Sequence, residues 1–188
     1  MCSVCRSFHV NFEEVNLRFY VKREVGGETR RAVCFEKEIV PRYAIATVAR
    51  VLYGEPYECW QMGHLRTENE VMYNWSKGGC RNELRVEIGE SEGVPAAGSH
   101  GEFIIEHYWG YTKRGGARVD EYKVEHPKWE LFSVKNEVID VDFLATYGED
   151  FAMLNHETPY SLVLAKGSEV TVNKGEAFFP THVSVART

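Results

Sequence analysis

The residues best suited to chemistry in this chain lie in two places. Near the start, Asn16, Arg18 and Tyr20 alternate at period two, so a strand would set them on one face. A guanidinium there is a natural carboxylate anchor, because it presents a rigid bidentate fork. Glu14 or Glu106 could brace it or exchange a proton. The second place is residues 102–129, EFIIEHYWGYTKRGGARVDEYKVEHPKW. Read as a strand, 102–112 puts Phe103, Ile105, His107, Trp109 and Tyr111 on one face and Glu106 on the other. Gly115-Gly116 then turns the chain into a return strand that ends at His126-Pro127-Lys128-Trp129. Pairing Tyr111 with Arg118 sets His107 opposite Tyr122 and Phe103 opposite His126. That register presents His107, Tyr122 and His126 on one largely apolar surface, as a small-molecule pocket requires. The ligand-binding candidates are therefore Asn16, Arg18, Tyr20, Glu106, His107, Trp109, Tyr122 and His126. The plainer alternative is a packed core whose histidines are satisfied by tyrosines and carbonyls. No residue is assigned a catalytic role.

Metal and cofactor chemistry find little support. Cys2-x-x-Cys5 with His9 has the spacing of a zinc half-site, but no second closely spaced pair follows. Glu106 and His107 point to opposite faces of a regular strand, which opposes a compact ligand set. There is no G-x-S-x-G elbow and no glycine-rich phosphate loop, so no cofactor is expected.

The elements that position these residues are mostly strands. Residues 12–22 alternate Val15, Leu17, Phe19 and Val21 against Glu14, Asn16, Arg18 and Tyr20, and residues 30–39 read as the hairpin partner across Gly26-Gly27. Pro41 then opens a helix on Ala44, Ile45, Val48, Ala49 and Leu52, which Gly54 ends. Strands are expected near 57–66, 70–76, 81–88, 130–138, 160–165, 168–173 and 177–185, with a loop over 89–101. A second short helix is expected near 140–147, with Asp140 as its cap and Gly148 as its stop. Two short helices among so many strands imply an antiparallel barrel or sandwich.

Composition narrows the function classes. Hydrophobic residues make up 44% and aromatics 13%, so the chain can bury a core as a single domain, 1–188, with residues 1–11 frayed. The net charge is −6 and no block of Lys or Arg forms a phosphate-binding stripe, which argues against nucleic acid. No apolar run approaches the roughly 20 residues that span a bilayer, and no signal-peptide pattern opens the chain, so a cytoplasmic protein without a membrane partner is expected. The five cysteines, Cys2, Cys5, Cys34, Cys59 and Cys80, are an odd number at unrelated spacings and fit reduced thiols.

Four segments carry a resemblance: NLRFYV at 16–21, ARVLYGEPYECWQM at 49–62, EHYWGYT with HPKW at 106–129, and YGEDFAMLNHETPYSLVLAKGSEVTV at 147–172. Together they resemble the YqjF-like family of uncharacterised proteins, a domain of unknown function. The resemblance implies an acetoacetate decarboxylase-like fold, a cone-shaped, mainly antiparallel β-barrel around a central pocket. It also implies that strands usually preceding NLRFYV are missing here. The open edge so left would invite a second chain, hence a homodimer. Decarboxylases of that fold carry a Schiff-base lysine in a Gly-x-Pro-Lys-Lys turn. By position, Gly54-Glu55-Pro56-Tyr57-Glu58 corresponds, with Tyr57 and Glu58 where the lysines would be. Tyrosine cannot form an imine, and a nearby glutamate raises a lysine's pKa, so imine chemistry is disfavoured. The expectation is a β-barrel domain that binds a small organic, anionic ligand. The alternatives are an enzyme acting on a keto acid or related carbonyl compound, using Arg18 with His107 or Glu106, and a structural or interaction domain.

Overall fold

The computed structural model describes residues 12–48, 51, 54–114 and 116–179. Strands β1 (Val15–Val25) and β2 (Glu28–Val40) form an antiparallel hairpin with Val25 opposite Glu28. The two-residue turn needs positive φ at both positions, which Gly26 (58°) and Gly27 (85°) supply at no steric cost. The register shifts between Leu17 and Arg18, where Glu36 of β2 is left without a ladder partner, and Phe19 is 49% exposed instead of facing inward. Helix α1 (Tyr43–Val48) follows Pro41, as the helical spacing predicts. Ala49 and Leu52 of that pattern lie outside the described residues.

The chain then returns as β3 (Tyr57–Cys59), which runs parallel to β2 with Tyr57 beside Glu38. Strands β4 (Gln61–Arg66), β5 (Glu70–Lys77) and β6 (Cys80–Gly93) make an antiparallel meander. Residues 89–93, expected as loop, are thus strand: they run beside β9 (Leu131–Asp140), and Glu90 N–H donates to Ser133 Oγ at 2.9 Å.

The largest departure lies in the predicted hairpin. Residues His100–Ile105 form helix α2 instead of the start of a strand. Ser99 is its N-cap and accepts from Glu102 N–H at 3.2 Å. This satisfies a donor that the first turn would otherwise orphan. Only Trp109–Lys113 is strand (β7), and it pairs with β8 (Val119–Glu125). The register is Tyr111 opposite Glu121, because the turn closes through Arg114 N–H to Arg118 O at 2.8 Å. Tyr122 therefore faces Gly110, not His107. His107 and Tyr122 do not share a strand face, and His126 lies beyond the ladder.

Helix α3 (Phe143–Tyr147) is capped by Asp142, two residues later than the expected Asp140, and ends at Gly148 with φ 100°. A 3₁₀ helix (Glu149–His156) continues from it. With α2 and this segment, the count of two short helices is exceeded. Strand β10 (Leu164–Ala165), shorter than the strand expected over 160–165, and β11 (Thr171–Phe178) are the last strands among the described residues, and residues 180–185 of the last expected strand lie outside them.

The ladders sort into two sheets. One runs β1-β2-β7-β8-β11, with β3 also on β2, and the other runs β10-β9-β6-β5-β4. The first sheet is mixed, since β2 pairs parallel to both β3 and β7. The protein is mainly β, but among the described residues no ladder closes either sheet, so two open sheets stand where a cone-shaped barrel was expected. Ile39 of β2, Trp60 and Trp75 of β5 form a shared core that includes Val15, Met62, Leu84 and Val141 at its margin. Burial of two indoles and a branched aliphatic supplies the main apolar contact joining the sheets.

Candidate functional site

The eight sequence-derived candidates fall into separate groups. Arg18 and Tyr20 on β1 do meet His107. Arg18 Nη2 donates to Tyr20 Oη at 3.2 Å, and the Tyr20 and His107 ring centroids lie 4.5 Å apart. Phe103 stands edge-on to His107 at 5.2 Å and 5.3 Å from Tyr20. The four-residue spacing of Phe103 and His107 brings the rings together across the end of α2, where a strand reading put them on one pleat.

His107 is 9% exposed, and its Nδ1 is buried without a good hydrogen-bond partner. Burial, and then the positive charges of Arg31 and Arg18, push its pKa down to about 4, against the opposing influence of the Ile104 backbone and Glu102. The ring is neutral at physiological pH. Arg31 is spoken for: its guanidinium grips Glu102 through contacts of 2.5 and 3.3 Å. Arg18 has no carboxylate partner among the described residues, and its side chain is exposed. The cluster thus offers one open cation, a buried neutral imidazole and two aromatic faces.

The other candidates lie elsewhere. Asn16 donates to Glu14 at 3.0 Å. Trp109 lies under the Arg30 guanidinium, 4.1 Å from the ring centroid, and Arg30 in turn pairs with buried Glu121 at 2.6 Å. This is a satisfied ion pair, so Trp109 serves packing. Glu106 is 4% exposed. It accepts a short hydrogen bond from the Tyr108 hydroxyl through Oε2, and its Oε1 is buried without a partner. Tyr108 stacks on His126, centroids 5.0 Å apart, and His126 stacks on Trp129 at 4.0 Å.

Tyr122 belongs to a buried carboxyl cluster that the sequence reading passed over. Glu38 is 2% exposed and Glu55 is 8% exposed. Glu55 accepts from Thr112 Oγ1 and from Tyr122, while Tyr57 lies between Glu38 and Glu14, donating to Glu14 Oε2 at 3.2 Å. Burial, then the charges of Glu14 and Glu55, push the Glu38 carboxyl up to about 9, and its Oε2 is unpartnered. Burial raises Glu55 as well, although Thr112, Tyr122 and Arg114 oppose it. Cys34 is pushed up to about 11, first by burial and then by Glu55, so it is no nucleophile. On β2, Glu38 falls within an ordinary alternating strand pattern, and in the fold it lies beside Tyr57 of β3. The one legible hint was Glu55, a carboxylate inside the Gly54–Glu58 turn.

Tyr57 and Glu58, which the resemblance set against the lysines, have partners of their own. Tyr57 is half-buried in the carboxyl cluster. Glu58 pairs with Lys37 at 3.1 Å and Lys77 at 2.9 Å. Partial burial opposes its ionisation, but hydrogen bonds from Trp60, Lys77 and Lys37 hold it down at about 2. Among the described residues no group of three His, Cys, Asp or Glu side chains is set to hold a metal; Cys2, Cys5 and His9 lie outside them. No helix among them is long and apolar enough to cross a membrane. A family model described as an uncharacterized conserved protein, DUF2071, matches residues 2–169. No curated protein matches the chain.

Proposed function

The chain belongs to the DUF2071 family of uncharacterized conserved proteins, the YqjF-like group, and from that premise we propose that it binds a small organic anion at the β1–α2 cluster. The observation that carries this reading is Arg18: an exposed guanidinium without a carboxylate partner among the described residues, set beside Tyr20 and a buried, neutral His107. The carboxylate of a ligand would complete the fork of Arg18, and the ligand's apolar part would lie against Tyr20 and Phe103. A neutral imidazole adds a hydrogen-bonding group without a second charge to desolvate. Isothermal titration with short carboxylates and fatty acids tests the proposal. Saturable binding that weakens about tenfold or more in Arg18→Gln is expected, the usual cost of one charge-assisted contact. Binding unchanged in that variant, or no binding by any acid, would sink it. A cytoplasmic setting is part of the same proposal and is supported by the unpaired thiols of Cys34, Cys59 and Cys80; fractionation that finds the protein secreted removes it.

A second reading, an enzyme acting on a keto acid, draws on the buried carboxyl cluster. A carboxyl held protonated near neutral pH beside Tyr57 has the properties of a general acid. Running the same titration with keto acids under NMR separates the readings. Turnover that disappears in Glu38→Gln favours the enzyme, and binding without turnover favours the carrier.

A further inference from the structure

The motif His126-Pro127-Lys128-Trp129 stands apart from the Arg18, Tyr20 and His107 contacts, although, after Arg31, the Lys128 charge helps lower Glu102 of α2. Pro127, Lys128 and Trp129 line a separate open cleft of about 370 Å³, at the end of β6 and beside the segment 166–168, and His126 stacks on Trp129. The cleft is walled by Val94, Pro127 and Trp129 on its apolar side, and Lys128, Lys166 and Ser168 supply polar groups. We propose that this cleft is a binding site for a small aromatic anion, with the ring against Trp129 and the acid group between Lys128 and Lys166.

The indole is held in place before any ligand arrives. Its Nε1 donates to Ser168 Oγ at 2.9 Å, and Ser168 donates in turn to the Glu169 carbonyl at 2.9 Å. His126 stacks on it at 4.0 Å and 18°, and is itself fixed by Nδ1 donating to the Pro127 carbonyl at 2.9 Å. Tyr108 extends the stack and is anchored by its hydroxyl on buried Glu106. A ring so held loses little freedom when a second ring lies on it, and preorganisation of this kind is what small ligands need.

Charge selects the ligand's sign. Lys128 and Lys166 line the cleft beside one carboxylate, Glu130, and Lys128 also helps Arg31 hold down the Glu102 carboxyl, which lies outside the lining. Glu130 already accepts from Ser91 Oγ at 2.5 Å and pairs with Lys166 at 3.4 Å, so its acceptor capacity is partly spent. An aromatic wall alone would suit a cation as well, but the lysines exclude one. Lys166 is also placed by its backbone, which donates to the Glu130 carbonyl at 2.9 Å. A cleft near the low end of the range of roughly 300–1,000 Å³ for ligand pockets admits one or two rings.

Benzoate and phenyl phosphate are the probes, with benzyl alcohol as the neutral ring and cyclohexanecarboxylate as the saturated acid. Binding is followed on the intact protein through its tryptophan indole N–H signals by NMR. Saturable binding of benzoate or phenyl phosphate is expected, with the Trp129 signal moving. Affinity should fall about tenfold or more in K128Q/K166Q, whose exposed side chains leave the fold alone. Cyclohexanecarboxylate and benzyl alcohol should each bind more weakly than the aromatic acid. The proposal is overturned by a Trp129 signal that neither probe moves, by affinity unchanged in K128Q/K166Q, or by equal binding of the neutral or the saturated compound.

Discussion

Glu38 and His107 are buried ionisable side chains whose protonation the fold alters in opposite senses. Folding raises the Glu38 carboxyl from 4.5 to about 9, so the folded state keeps a proton that the unfolded chain sheds. Its contribution to stability is full below pH 4.5 and is lost as the pH rises through about 9. Folding lowers His107 from 6.5 to about 4, so the unfolded chain takes the proton first, and stability falls as the pH drops through that interval. Between 4.5 and 6.5 the two slopes oppose each other, and above 6.5 that of Glu38 acts alone. Glu38→Gln is neutral and similar in shape. It is expected to match the parent in urea midpoint at pH 4 and to exceed it increasingly up to pH 9. For a chain of this size each kcal/mol gained raises Tm by about 2–4 °C. Parallel pH profiles for the two proteins would show that Glu38 is ionised in the fold.

At the scale of elements, α2 carries the most consequence for the site, because it delivers Phe103 and His107 to Tyr20. Ser99→Ala removes its N-cap, which costs about 1 kcal/mol. The expected outcome is a modest loss of global stability, read by urea titration, together with a larger loss of amide protection confined to residues 100–107. Uniform loss across both sheets would mean that the cap does no local work. The same helix marks the limit of what the residues reveal when read in order. Phe103, Ile105 and His107 satisfy a period of two, yet Phe103 and His107 also satisfy a helical step of four, and a short window cannot separate the two. The decisive signal was upstream, in Ser99-x-x-Glu102, the spacing of a capping box. The β1–β2 turn was legible because Gly26-Gly27 states its own geometry. Arg18, Tyr20 and His107 were picked out by residue type and meet in space, although by a route other than the shared hairpin face. Glu38 was not legible, since its neighbour Tyr57 comes from a strand nearly twenty positions later in the chain.

At the scale of the whole molecule, the two sheets differ in how far apart in sequence their partners lie. In the second sheet, β4, β5 and β6 are successive hairpin strands. In the first, β2 must wait for β7, with Ala32 beside Trp109, and β8 for β11, with Val124 beside Val172. Closing such loops costs entropy before any contact compensates. Pulsed hydrogen exchange during refolding is therefore expected to protect β5 and β6 before the amides shared by β2 and β7. Simultaneous protection would indicate a single concerted nucleus.

The parallel contact between β2 and β7 has a consequence during synthesis. A ribosome that has released only the first hundred residues leaves the inner margin of β2 without its native neighbour, because Trp109 and Gly110 are still to come. For that interval Ala32 and Val33, buried in the finished protein, are a sticky ribbon in the crowded cell. The nascent chain, more than the mature one, is where this protein would call on a chaperone.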